Sequence, residues 1–123
     1  MSDPGRYGGQ TVKLHLLNSF LEATAIGEGQ IVVHRFPFVI GRAHNSDYRL
    51  DLAFISRHHC TIFCHGSRVW VRDLESFNGT YINGERVTEP RPLRDGDTLS
   101  LGPLNFRVAI ALGSSTELPI IRS

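Results

Sequence analysis

Asp73-Leu74-Glu75-Ser76-Phe77-Asn78-Gly79-Thr80-Tyr81-Ile82-Asn83-Gly84-Glu85-Arg86-Val87 is the stretch that decides the fold class. Inside it, Asn83-Gly84 stands between Tyr81-Ile82 and Arg86-Val87. That dipeptide between β-prone residues predicts a tight hairpin, because a type I′ turn needs positive φ at both central positions. Working outward, the same texture repeats. Thr61 to His65 and Val69 to Asp73 are β-rich runs joined by His65-Gly66-Ser67. Thr98 to Leu101 and Asn105 to Ala111 follow Asp95-Gly96-Asp97 and flank Gly102-Pro103. Nearer the start, Ile31 to His34 and Phe36 to Ile40 are β-branched and aromatic, and Val12 to Leu16 alternates with period two. Many short strands, with no long 3.6-residue periodicity, predict an all-β sandwich. Asn18 to Ala25 reads equally as one helical turn or a loop. Met1 to Gln10 reads as a flexible leader and 113–123 as a polar tail or linker, leaving 11–112 as one domain.

Composition narrows the chemistry. The chain has 123 residues, 41% hydrophobic and 20% charged, which suits one soluble domain with a real core. Thirteen Lys and Arg against 12 Asp and Glu give a net charge of only +1. A binder of nucleic-acid backbones would carry a clear basic excess, so no nucleic-acid partner is expected and any phosphate chemistry must be local. No apolar run reaches membrane-spanning length, so no membrane insertion is expected. The first ten residues lack an apolar core of the secretory type. Cys60 and Cys64 are too few for a disulfide framework, which points to a reducing, intracellular or cytoplasmic setting.

Four polar clusters fall at strand ends: Gly41-Arg42, Ser56-Arg57-His58-His59, the run from Asp73 to Thr80, and Asn83-Gly84 with Leu93 to Asp97. Each alone is an ordinary turn. Together they supply a guanidinium, a hydroxyl and a second guanidinium on loops, with backbone N–H groups beside them. Those are the donors a phosphate dianion needs. The arrangement suits binding rather than catalysis.

Gly41-Arg42, then Ser56-Arg57-x-His59, then Asp73-Leu74-x-Ser76-x-Asn78-Gly79-Thr80-x-x-Asn83-Gly84, then Leu93-x-x-Gly96-Asp97 resembles the forkhead-associated (FHA) domain in order and spacing, over roughly Phe36 to Ile110. The resemblance implies a β-sandwich of about eleven mostly antiparallel strands, with binding loops at one end that take phosphothreonine peptides. It implies phosphate contacts from Arg42 and Ser56 and an added contact from Arg57. Asn78 matches the residue that bonds the peptide backbone just after the phosphothreonine, with the Phe77 N–H beside it. Gly41, His59 and Gly79 match architectural positions, the glycines through backbone geometry and His59 as a buried imidazole tying loops together. Phe77 is a departure, since many relatives place Ser, Thr or a basic residue there.

The implied partner is a phosphothreonine-containing protein, the product of a Ser/Thr kinase, bound by a domain that is monomeric in isolation. No cofactor is expected. Three rivals compete with this reading. His58-His59-Cys60 with Cys64-His65 could suggest zinc, but thiols four residues apart on a strand stand about 13 Å apart, too far for one ion with ligands at roughly 2.0–2.3 Å. They read instead as small core residues. No metal site and no enzyme are expected, because Ser56 with His58 or His59 lacks an oriented base and Asp73, Glu75 and Asp95 sit in turns. The last rival keeps the fold but binds its partner independently of phosphate, through a sheet face or a loop.

Overall fold

The structure, a computed structural model, describes residues 6–7, 10–18 and 30–114. Among them are twelve strands. They are β1 (Arg6–Tyr7), β2 (Gln10–Leu17), β3 (Gln30–Val33), β4 (Phe38–Gly41), β5 (Tyr48–Arg49) and β6 (Cys60–His65). The rest are β7 (Arg68–Asp73), β8 (Thr80–Ile82), β9 (Glu85–Arg86), β10 (Arg91–Leu93), β11 (Thr98–Leu101) and β12 (Leu104–Ser114). No helix among the described residues is long and apolar enough to cross a membrane.

Two sheets result. One runs β1-β2-β12-β11-β8-β9, with β3 also on β2; the other runs β10-β7-β6-β4-β5. Every pairing is antiparallel except β4 with β5. Alternation explains why they stack. Leu14, Leu16, Ile31, Val33, Leu99, Leu101, Phe106 and Val108 point inward from the first sheet, and Phe38, Ile40, Cys60, Ile62, Val69 and Val71 from the second. All are buried in one cluster. Each large side chain so buried contributes about 1.5–3 kcal/mol, and opposed faces of this kind pack as an all-β sandwich.

The hairpin read from Asn83-Gly84 is present. Tyr81 faces Arg86 and Ile82 faces Glu85 across a two-residue turn, with φ of 51° at Asn83 and 85° at Gly84. Asn83 also ties the turn to β11: its side-chain oxygen accepts from the Thr98 N–H at 2.9 Å.

The structure adds β5 and β10, which the sequence reading passed over. Both are short edge strands. Pro92 sits within β10, which is tolerable because an edge strand can spare an N–H. β1 lies inside the stretch read as a leader and pairs with the start of β2. Of the segment read as helical turn or loop, only Asn18 is described; residues 19–29 and the tail beyond Ser114 lie outside the described residues.

Candidate functional site

The end of β4, the start of β6 and the β7–β8 connection converge at one end of the second sheet. The Arg42 N–H donates to the Ser56 carbonyl at 2.9 Å and the Ala43 N–H to the Arg57 carbonyl at 3.0 Å, which zips the loop after β4 to the loop before β6. Gly41 is the hinge of that zip. A Cβ there would lie 2.1 Å from the Arg57 carbonyl oxygen and 2.9 Å from the His58 Cα. The need for glycine is therefore lack of space, whereas at Gly79 it is conformation, with φ at +89°.

Arg42 is half-buried. Its Nε donates to the Ile55 carbonyl at 2.9 Å, which fixes the stem and leaves the two terminal nitrogens without a partner among the described residues. Ser56 accepts a hydrogen bond from the Phe77 N–H on its Oγ at 2.9 Å, so its own hydroxyl proton remains available to an acceptor. Asn78 donates from Nδ2 to the Phe54 carbonyl at 2.8 Å, anchoring one half of its amide and freeing the carbonyl half. Arg57 is exposed and pairs with no acid among the described residues. The structure thus gathers Arg42, Ser56, Arg57, Phe77 and Asn78 around one rim.

His59 lies behind this rim, fully buried. The Ser56 N–H donates to its Nδ1 at 3.2 Å. An Nδ1 that accepts must be bare, so Nε2 carries the proton and donates to the Gly79 carbonyl at 2.9 Å. Its backbone adds two ties: its N–H donates to Ile40 at 2.9 Å and its carbonyl accepts from Leu74 at 2.9 Å. Burial holds its pKa below the ordinary histidine value, outweighing the Gly79 bond and the nearby Asp73 charge, both of which favour the proton.

Asp73 does more than form a turn. Its carboxylate accepts from the Ser76 N–H at 3.0 Å, the Ser76 hydroxyl at 2.6 Å and the Thr80 hydroxyl at 2.6 Å. Burial pushes its pKa up, but these donors and His59 prevail and hold it below the usual carboxylate range. The Ser76 hydroxyl in turn accepts from Gly79 at 3.0 Å, and Glu75 takes a left-handed φ of 58°. This internal scaffold presents Phe77 outward, 88% exposed. The spacing Asp73-x-x-Ser76 was the sequence signal for it, a side chain capping a backbone N–H three residues on.

Cys60 and Cys64 both face inward from β6 and are free thiols. Burial raises both pKa values, that of Cys64 to about 11, so neither is poised as a thiolate. No group of three or more His, Cys, Asp or Glu among the described residues is arranged to hold a metal ion.

Comparison with known proteins bears on this rim. The family model of the FHA domain matches residues 38–102, just over half of the chain. The transcriptional regulatory protein EmbR of Mycobacterium tuberculosis is 37% identical over 75 residues, which covers 61% of this chain and 19% of that protein. The chain thus matches about a fifth of that relative's length. A solved structure of EmbR with a low-affinity phosphopeptide superposes with a TM-score of 0.69 at 27% identity, over 94% of this chain and 28% of that one. An FHA domain from a study of phosphothreonine-dependent interactions superposes with a TM-score of 0.66 at 28% identity, over 79% and 95%.

Proposed function

The chain belongs to the FHA domain family, and from that premise we propose that it binds phosphothreonine-containing segments of a partner protein and so mediates a phosphorylation-dependent interaction. The observation that carries the reading is the tethered Arg42 guanidinium, held through Nε with its outer nitrogens free, beside a Ser56 hydroxyl whose proton is unspent. A phosphate oxygen pair accepts in bidentate fashion from such a fork, and a third oxygen accepts from the hydroxyl. Arg57 adds a mobile charge. The free carbonyl of the Asn78 amide accepts from the peptide N–H after the phosphothreonine. Gly41, His59 and Gly79 shape the rim without touching ligand. No bond is made or broken in this scheme, and the domain, spanning 11–112, acts as a binding module rather than an enzyme. An intracellular setting accords with its two free thiols.

Threonine should be preferred over serine. One methyl is worth about 0.8 kcal/mol on burial, and the stiff χ1 of threonine leaves less rotamer freedom to lose. A methyl seated beside Ser56 and Asn78 also sets the angle at which phosphate meets Arg42. The combined preference should exceed roughly tenfold. A phosphothreonine peptide selected from a degenerate library and its phosphoserine twin, titrated side by side, provide the test; equal affinities would restrict the site to phosphate alone.

Phe77 offers a gain-of-function test. Its ring donates nothing, so Phe77→Thr places a hydroxyl at the rim where many relatives have one. The added bond to a charged group should strengthen binding of the same peptide roughly tenfold. A loss of affinity instead would mean that the exposed ring itself packs on the ligand.

A further inference from the structure

The outer face of the five-stranded sheet carries a groove of about 400 Å³ lined by Pro37, Val39, Thr61, Phe63, Arg72 and Leu74. None of the rim residues lines it. In register, Val39 faces Thr61 and Thr61 faces Arg72, so these three form one row across β4, β6 and β7. Thr61 is only 7% exposed. Among the described residues, its hydroxyl is the buried side-chain polar atom that finds no partner. Native folds rarely leave such a group unpaired, because it forfeits its bonds to water without recompense. Beside it, Arg72 is exposed and makes no ion pair among the described residues.

Cross-strand neighbours stand about 5 Å apart at Cβ, so an acceptor held by the exposed Arg72 guanidinium lies over Thr61, whose hydroxyl, covered in the free domain, reaches it when χ1 turns toward the groove. Val39, Phe63 and Leu74, all half-buried, give that acceptor an apolar floor. The chemistry that satisfies the whole set is a carboxylate next to an apolar side chain.

We propose that this groove is a second docking site, which takes an acidic–apolar stretch of the same partner chain whose phosphothreonine enters the rim. The proposal rests on the phosphothreonine reading. Continuity joins the two surfaces: Leu74 lines the groove, and residues 75–78 that follow it carry Phe77 and Asn78. Val39 precedes Arg42 by three residues, about 10 Å of extended chain at roughly 3.3 Å per residue. A partner segment of three or more residues spans that distance. With both ends on one chain, the second contact forms intramolecularly and adds affinity beyond its own strength.

The test uses isotope-labelled domain and phosphothreonine peptides bearing Glu-Leu at each position from three to six residues on either side, with Gln-Leu twins. At one position or more, the Glu peptide should bind about tenfold tighter than its twin. It should also shift the amide resonances of Val39, Thr61 and Arg72 together with those of Arg42, Ser56 and Asn78. Arg72→Gln should erase the tenfold difference and leave the Gln-Leu peptides unaffected. Thr61→Val should reduce the difference while raising Tm of the free domain by roughly 5 °C, since an unpaired hydroxyl is removed. Equal binding of all Glu and Gln twins, with shifts confined to the rim, would overturn the groove and leave the phosphothreonine reading standing. A lowered Tm with the Glu preference intact would overturn the role of Thr61. Peptides that shift neither surface would overturn both.

Discussion

Arg42→Ala should leave the domain folded and weaken binding of a phosphothreonine peptide by roughly 30- to 1000-fold. In the free protein Arg42 is half-buried and makes one side-chain bond, to the Ile55 carbonyl. Losing that bond shifts Tm by a few degrees at most, because the backbone zip between Arg42 and Ser56 does not depend on the side chain. In the proposed complex the same side chain would make two charge-assisted bonds, and their loss would be worth about 2–4 kcal/mol. Arg42→Lys should recover only part of it, since an ammonium is a point charge without the planar fork. A change below a few-fold in the alanine variant would remove Arg42 from the phosphate site.

His59→Ala should act through the fold. The substitution empties a fully buried position, strands the part-buried Ser56 N–H and leaves the Gly79 carbonyl with the Gly102 N–H alone. The cavity and the lost bonds together cost about 3 kcal/mol, which should lower Tm by roughly 10–20 °C in a domain of this size. Binding should fall in step with folding. An unchanged Tm with binding abolished would instead make His59 a ligand contact.

Acid should reproduce this loss in the unmodified protein. The folded state holds the His59 pKa below the unfolded value of about 6.5. Its contribution is therefore complete above pH 6.5 and fades as pH falls through the folded value. Protonating Nδ1 sets a donor against the Ser56 N–H and pushes that loop away. Asp73 works in the same direction at lower pH. Its folded pKa is also depressed, so its stabilisation is present above about pH 4 and is lost beneath it. The fall in Tm between pH 7 and pH 5 should be smaller in His59→Ala, a comparison that isolates the histidine's share.

How far the residues announce all this depends on the range of the interaction. The Asn83-Gly84 hairpin was legible because its cause is local, a pair of residues that accept positive φ. The inward alternation of Leu14 and Leu16, and of Leu99 and Leu101, was legible for the same reason. Edge strands β5 and β10 were not, because Tyr48–Arg49 and Arg91–Leu93 are strands only through their neighbours Ile40 and Val71. At the rim, Arg42 and Ser56 could be proposed from the motif, yet the bond that tethers Arg42 runs to a carbonyl, which leaves no trace in residue identity. The glycine at position 41 was legible as a glycine, but its reason was not: the intruding atom belongs to residue 57, across the loop. Asp73 looked like one turn former among several until three donors were found on its carboxylate. The outer groove depends on register across three strands, and no single strand reveals it.

Phosphate dependence is the centre of the account, and one titration tests it most directly. A phosphothreonine peptide selected from a degenerate library is measured against the domain before and after phosphatase treatment, at fixed salt. Removing the phosphate would take away the charged oxygens proposed to accept from Arg42 and the Ser56 hydroxyl, so affinity should fall by at least roughly a hundredfold. Equal affinity for the two peptides would contradict the account and leave a domain of this fold that recognises its partner by other means.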